Sequence, residues 1–179
     1  ANFFNCCLLN AILNPILFII YKNIRGNYTM ILPNFNDFPR VGRVLGIDWG
    51  ARRTGVAVSD ASREFVFMRP AILSGRGEKS IARHIADVAT RENVVGIVFG
   101  LPLRMDGTAS DTTDAVRACA AELCTYVDLP VAFIDESLTS VAAQDEMGKV
   151  RISDIKRDLD SNAARVILEN AIAVIRRLK

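Results

Sequence analysis

Five short apolar runs along the chain predict the strands of a β-sheet. Each run is bounded by glycine, proline or polar residues, as strands usually are. They cover residues 44–48, 55–58, 65–73, 94–99 and 131–136. Pro70 cannot donate a hydrogen bond to a neighbouring strand, so it should place the third strand at a sheet edge or beside a bulge.

Apolar residues at helical spacing predict helices between and after these strands. Ile81, Ile85 and Val88 recur at intervals of four and three, which gives a surface helix its apolar face. Further helices are predicted for residues 109–126, 139–147 and 158–178, and a mobile loop for the polar stretch 148–157. Three strands followed by alternating helices and strands indicate an α/β domain with a mixed five-stranded sheet flanked by helices.

The first 29 residues differ from the rest of the chain. They contain two bases, Lys22 and Arg25, and no acid. The stretch 3–21 is almost uncharged and about as long as a bilayer-spanning helix, but three asparagines and a proline interrupt it and its bases come after it. We therefore predict that residues 1–29 lie outside a functional domain formed by residues 30–179, with a signal anchor as the alternative interpretation.

Composition and charge narrow the class of protein. A chain of 179 residues, 50% apolar and 23% charged, fits one folded domain without membrane spans. Beyond the first 29 residues it carries 20 bases and 20 acids, which excludes a uniformly basic nucleic-acid coat. Its four cysteines lack the spacing of a zinc site, and free thiols fit a cytoplasmic location.

Acidic residues stand at the ends of two apolar runs and on one helix. Asp48 and Glu136 end predicted strands, where ligand sites of open α/β sheets gather. Asp160 precedes the apolar stripe of the last helix by helical offsets, which should turn it toward the sheet. Asp135 is the alternative to Glu136, because neighbouring residues of a strand point to opposite faces and the register is open.

Three carboxylates that converge would repel one another and lose hydration unless cations neutralise them. Oxygen ligands with few His or Cys nearby favour Mg²⁺ or Mn²⁺. Two such ions, about 4 Å apart, activate a water and stabilise the leaving oxygen of a phosphodiester. No His, Ser or Cys nucleophile is then needed, which suits a chain with a single His. We expect Asp48 to bridge two ions, with Glu136 and Asp160 each completing one.

Five ordered motifs resemble those of the YqgF/RuvX family. They are GIDWG at 46–50, RTGVAVSD at 53–60, GLPLRMDG at 100–107, DESLT at 135–139 and DSNAARVIL at 160–168. The resemblance implies a ribonuclease H-like fold and a nuclease that processes the 5′ end of pre-16S ribosomal RNA, or a Holliday junction resolvase. It also assigns catalysis and metal binding to Asp48, Glu136 and Asp160, the same three acids that the pattern indicates.

The chain departs from the family where it has Ser137, since the family usually has Arg after the Glu. A serine cannot make a bidentate charged contact with phosphate, so substrate affinity is expected to differ. Contacts to the nucleic-acid backbone are instead predicted for five basic residues: Arg52, Arg53, Lys156, Arg157 and Arg165.

The sequence thus predicts a cytoplasmic, metal-dependent nuclease that acts on pre-16S ribosomal RNA, as a monomer or homodimer. One alternative is a resolvase of four-way DNA junctions, for which a dimer would make two symmetric cuts. Another is a domain that binds RNA or a transcription complex without catalysis. Magnesium-dependent turnover separates the enzymes from the binder.

Overall fold

The computed structural model describes residues 31–74, 80–104, 108–135 and 155–178, with side chains from residue 162 onward in the last segment. The N-terminal segment 1–29, most of the loop predicted for 148–157 and the helix predicted for 139–147 lie outside this part. The described residues form five strands and three helices. In chain order these are β1 (Val44–Asp48), β2 (Arg53–Ser59), β3 (Val66–Leu73), α1 (Ile81–Glu92), β4 (Gly96–Leu101), α2 (Asp111–Leu123), β5 (Val131–Asp135) and α3 (Ile155–Arg177).

The five strands form one mixed sheet in the order β3-β2-β1-β4-β5. β1 pairs antiparallel with β2 and parallel with β4, and β4 pairs parallel with β5. The predicted fold class is therefore confirmed. β3 is an edge strand, and its register against β2 shifts between Thr54 and Val56, beside Pro70. Both positions expected for Pro70, the edge and the bulge, are found together.

Two apolar cores lie on opposite faces of the sheet. Strand residues alternate between them, so Leu45 and Ile47 face the core shared with α1 and α2, whereas Val44 faces the core shared with α3. The second core also holds Leu32, Phe35 and Phe38, which precede β1. These residues pack under α3, and Ile31 just before them forms a β-bridge with Val131. Their burial was not evident from the sequence, because their neighbours are polar.

Several predicted boundaries differ from the structure by one to three residues, among them the starts of β4 and α3. β4 begins at Gly96 rather than Val94, because Asn93 ends α1 in a left-handed conformation and the Val94 N–H still donates to Ala89 of the helix. α3 begins at Ile155 rather than 158, so the end of the predicted loop is helical.

Across the described ranges, no helix is both long and apolar enough to cross a bilayer.

Candidate active site

Asp48 is the last residue of β1 and lies at the carboxyl edge of the sheet. Val44 belongs to the core on the α3 side, and alternation along the strand gives Gly46 and Asp48 the same face. The Asp48 side chain is half-buried. A carboxylate at this position is held by a strand whose four preceding residues are buried, so its backbone is rigid.

A tight turn connects Asp48 to two basic residues. A Cβ on Gly50 would lie 2.5 Å from the carbonyl oxygen of Arg53, so only glycine fits this turn without rearrangement. Arg52 is exposed and Arg53 half-buried as β2 begins. Because Asp48 pairs with Gly55, both arginines lie at the same edge of the sheet as the candidate acid.

The loop after β4 lies at this edge as well, and Thr113 anchors it. The Thr113 hydroxyl donates to the carbonyl of Pro102, and the Thr113 N–H donates to the Ser110 hydroxyl at 3.3 Å. Thr113 is completely buried although it is polar. The sequence interpretation missed it. The Ser-x-x-Thr pattern that opens α2 was the signal, since it is a helix-capping arrangement.

Asp135 ends β5 at the level of Leu101 on β4. Val131 and Phe133 pack in the core on the α1 and α2 side, whereas Ala132 and Ile134 belong to the core on the α3 side. Alternation therefore gives Asp135 the face opposite to that of Asp48. Glu136 and Ser137 follow directly and lie outside the described residues.

Of the other candidates, α3 carries Asp160 together with Lys156, Arg157 and Arg165. For the first three the structure describes only the backbone. Arg165 is exposed and its Nε donates to Glu169 at 2.9 Å, one helical turn away. Its charge is therefore shared with a carboxylate on the same helix.

The packing of α3 against β1 fixes the direction of the helix. A Cβ on Gly46 would lie 2.9 Å from the carbonyl oxygen of Ala164, in the first half of α3. The other end of the helix lies near the start of β1: Arg176 donates to the carbonyl of Arg63 at 2.7 Å, and Arg63 donates to that of Gly42 at 2.8 Å. α3 therefore runs antiparallel to β1, and its N-terminal half extends toward the carboxyl edge.

Trp49 and Cys119 complete the surroundings on the other face. Trp49 packs against the α1 and α2 core, and its indole N–H donates to the Cys119 sulfur. Burial raises the pKa of the Cys119 thiol to about 12. Cys119 and Cys124 are both free, as expected, and the buried thiol is not suited to act as a nucleophile.

Within the residues that the structure describes, no three His, Cys, Asp or Glu side chains converge to form a metal site. Asp48 is the one candidate acid of the three whose side chain lies in this part of the chain. The described residues do place four features at the carboxyl edge of the sheet. They are Asp48, the arginines of the β1–β2 turn, the loop anchored by Thr113 and the end of β5.

Comparison with known proteins agrees with this architecture. Over 133 residues the chain is 40% identical to a protein of Maridesulfovibrio salexigens named "Putative pre-16S rRNA nuclease", with 73% of this chain and 98% of that protein covered. A protein of Rhodobacter capsulatus with the same name is 36% identical over 149 residues, covering 80% and 93% of the two chains.

Among solved structures, RuvC of T. thermophilus in complex with a Holliday junction superposes with a TM-score of 0.50. The superposition covers 76% of this chain and 97% of RuvC at 14% identity, which shows a shared ribonuclease H-like fold. The model of the RuvX family, described as Holliday junction resolvase, matches residues 42–173. This match spans all five strands and nearly all of α3. The chain belongs to the RuvX family.

Proposed function

We propose that this protein is a metal-dependent nuclease that cleaves pre-16S ribosomal RNA, with Asp48, Glu136 and Asp160 as its catalytic acids. The observation that carries the proposal is the antiparallel packing of α3 on β1 at Gly46. The names of the relatives at 36–40% identity support the substrate.

The register of α3 on β1 supports Asp160. From Gly46 to Asp48 the strand advances by two residues, about 6.6 Å toward the carboxyl edge. From Ala164 back to Asp160 the helix moves by four residues, about 6 Å, in the same direction. Starting from the contact between Gly46 and Ala164, this register supports a position for both acids at the same end of the sheet.

Alternation along β5 supports Glu136 over Asp135. The α3 face of β5 carries Ala132 and Ile134, so strand alternation continued by one residue would give position 136 the same face as Asp48. Asp135 belongs to the opposite face. Of the two acids that the sequence left open, this alternation favours Glu136.

The chemistry of these donors fits Mg²⁺ or Mn²⁺, since three carboxylates supply only hard oxygen atoms. Cations in such a site supply Lewis acidity to the phosphoryl group. The chain's own contribution would be to hold Asp48 at the end of β1, with Asp160 on α3 and Glu136 directly after β5, and to present Arg52 to the phosphate backbone beside Asp48. Arg52 would position the substrate without reading its sequence.

Cleavage of four-way DNA junctions is the second candidate, because the matching family model is described as a Holliday junction resolvase. It requires a substrate with two symmetric strands and favours a dimer. The two activities differ in substrate and share the same three acids.

The test is a cleavage assay with labelled precursor RNA and labelled junction DNA, each with and without Mg²⁺ or Mn²⁺. The full chain should cut the RNA faster than the junction, and only with metal. Asp48→Asn should abolish cleavage without changing the melting temperature, while the matched variant Asp135→Asn should retain it. Metal-independent cleavage, or full activity of Asp48→Asn, would refute the proposal. Faster cutting of the junction would select the second candidate.

A further inference from the structure

The end of α3 farthest from Asp48 borders a pocket surrounded by arginines. Its volume is about 430 Å³, enough for a phosphodiester group and part of its sugar. The lining residues are Arg40, Ser62, Arg63, Ile175, Arg176 and Leu178. Three of the six carry a guanidinium group, and none carries a carboxylate.

Arg63 is the central residue of this pocket. It is 5% exposed, and its backbone φ of 62° lies in the left-handed region. Nε donates to the carbonyl of Gly42 and Nη2 to that of Pro39, both at 2.8 Å. Nη1 is buried and has no hydrogen-bond acceptor among the residues that the structure describes. A buried, charged donor without an acceptor is unfavourable, and an anion would supply one.

The two other arginines add positive charge beside Arg63. Arg40 donates to the carbonyl of Ile175 at 2.9 Å, and Arg176 donates to the carbonyl of Arg63 at 2.7 Å. None of the three pairs with a carboxylate of a described residue. Burial, followed by the charges of Arg176 and Arg40, lowers the pKa of the Arg63 guanidinium. Three cations are thus held together without a counter-charge in the described part of the chain.

A structural role explains part of this cluster. Arg40 caps carbonyls at the C-terminal end of α3, and Arg63 fastens the turn before β1. Carbonyl oxygens carry only partial negative charge, however, so they offset the repulsion among three guanidinium groups only in part. The structural role also leaves Nη1 of Arg63 without an acceptor.

We propose that this pocket binds a backbone phosphate of the nucleic-acid substrate, an inference that rests on the proposed nuclease function. Guanidinium groups are the side chains best suited to phosphate, because they donate in a fixed planar geometry. From position 160 to position 176 the helix advances by about 24 Å, a distance of several base pairs along a duplex. The pocket therefore holds the substrate far from the cut and sets its orientation.

The test uses the exposed members of the cluster, since replacing buried Arg63 risks misfolding. Arg40→Gln and Arg176→Gln are made in the Asp48→Asn background, which keeps the RNA intact during binding. Arg177→Gln is the matched control, because it removes the same charge from the next position of α3 without touching the pocket. Binding of labelled precursor RNA is measured across a range of salt concentrations.

Each pocket variant should weaken binding about tenfold and lower the slope of log K against log salt by about one, as expected for one lost phosphate contact. Arg177→Gln should keep the parental slope. Unchanged slopes in both pocket variants would overturn the proposal. A second result would also overturn it. In that result inorganic phosphate raises the melting temperature of the parent but not of the Arg40→Gln and Arg176→Gln variants, while both variants keep the parental affinity for RNA.

The experiment distinguishes failure of the phosphate pocket from failure of the proposed nuclease function. A protein that cleaves precursor RNA normally but binds it equally well with Arg40→Gln or Arg176→Gln would remove the pocket alone. A protein that fails to cleave but loses RNA affinity in these two variants, and not in Arg177→Gln, would retain the pocket and remove the proposed catalysis.

Discussion

Gly46 of β1 lies directly against Leu168 of α3: a Cβ built on the glycine would lie 2.6 Å from the Cβ of the leucine. The absent side chain lets the helix approach the strand more closely than any other residue would allow. This contact sets the height and register of α3 over the sheet. It therefore links the first glycine of the GIDWG motif to the placement of the helix that carries Asp160.

Gly46→Ala should destabilise the fold by about 1–3 kcal/mol, because the added methyl group meets main-chain and Cβ atoms that cannot rotate away. Urea denaturation measures this loss. The same variant should cleave more slowly at temperatures where it is fully folded, since α3 is displaced.

Gly96→Ala is the control for this displacement. Its added Cβ would meet the ring of Phe38 at 2.5 Å, where Gly96 pairs with Val44 at the end of the sheet opposite to the carboxyl edge. It should lose stability but keep its cleavage rate per folded molecule. Equal loss of cleavage in both variants would show that α3 is not positioned by Gly46.

The ion pair between Arg69 and Glu92 should make stability depend on pH. Nε of Arg69 lies 2.6 Å from Oε1 of Glu92 and Nη2 lies 3.1 Å from Oε2, with the Glu92 side chain only 13% exposed. Hydrogen bonding to Arg69 lowers the pKa of Glu92. The stabilisation is therefore complete above the unfolded-state pKa of about 4.5 and is lost as the pH falls through the lower folded-state value.

Glu92→Gln should cost about 1–3 kcal/mol of unfolding free energy at pH 7, and the difference from wild type should shrink below about pH 4. Glu169→Gln is the matched control, because its pair with Arg165 is 46% exposed on both sides and should contribute less than about 1 kcal/mol. Denaturation curves of the wild type and both variants at pH 7 and pH 3.5 measure these differences in unfolding free energy. A Glu92→Gln difference that is the same at both pH values contradicts the expectation.

Asp60 should titrate well below an ordinary aspartate. Its carboxylate accepts hydrogen bonds from the Ser62 hydroxyl, from the Ser62 N–H at 3.0 Å and from the Phe65 N–H at 2.8 Å. These bonds, led by that of the Ser62 hydroxyl, lower the pKa of Asp60 to about 2. Its contribution to stability is present above about pH 4 and is lost between pH 4 and pH 2.

Carboxyl NMR titration of Asp60 checks this value, and Asp60→Asn should flatten the acid dependence of the unfolding midpoint in the same interval. Ser62→Ala should raise the pKa of Asp60, since it removes the hydroxyl hydrogen bond that lowers this pKa most. A pKa near 3.8 in the wild-type protein would mean that the turn is not formed in solution.

The central strands were predictable because apolar periodicity alone defines them. β1 begins and ends where its apolar run does, and the parallel pair β4 and β5 is connected by α2. Asp48 could thus be assigned to the carboxyl edge from sequence. Pro70 marked the edge strand because its ring excludes a ladder hydrogen bond.

Features that depend on tertiary contacts could not be predicted in this way. Phe35 and Phe38 stand among polar residues, and only the position of α3 explains their burial. Arg63 resembles an ordinary surface arginine in the sequence, yet it is buried and takes a left-handed conformation. The early start of α3 at Ile155 lacked an apolar period that would reveal it. Sequence patterns report local periodicity, and these residues acquire their roles from distant segments.

Calorimetric titration of the full chain with Mn²⁺ is the most direct test that Asp48, Glu136 and Asp160 form one metal site. The account predicts that Asp48→Asn, Glu136→Gln and Asp160→Asn each weaken Mn²⁺ binding by more than about tenfold, whereas Asp135→Asn leaves it unchanged. Wild-type Mn²⁺ affinity in all four variants would contradict the shared metal site and the hydrolytic function that depends on it.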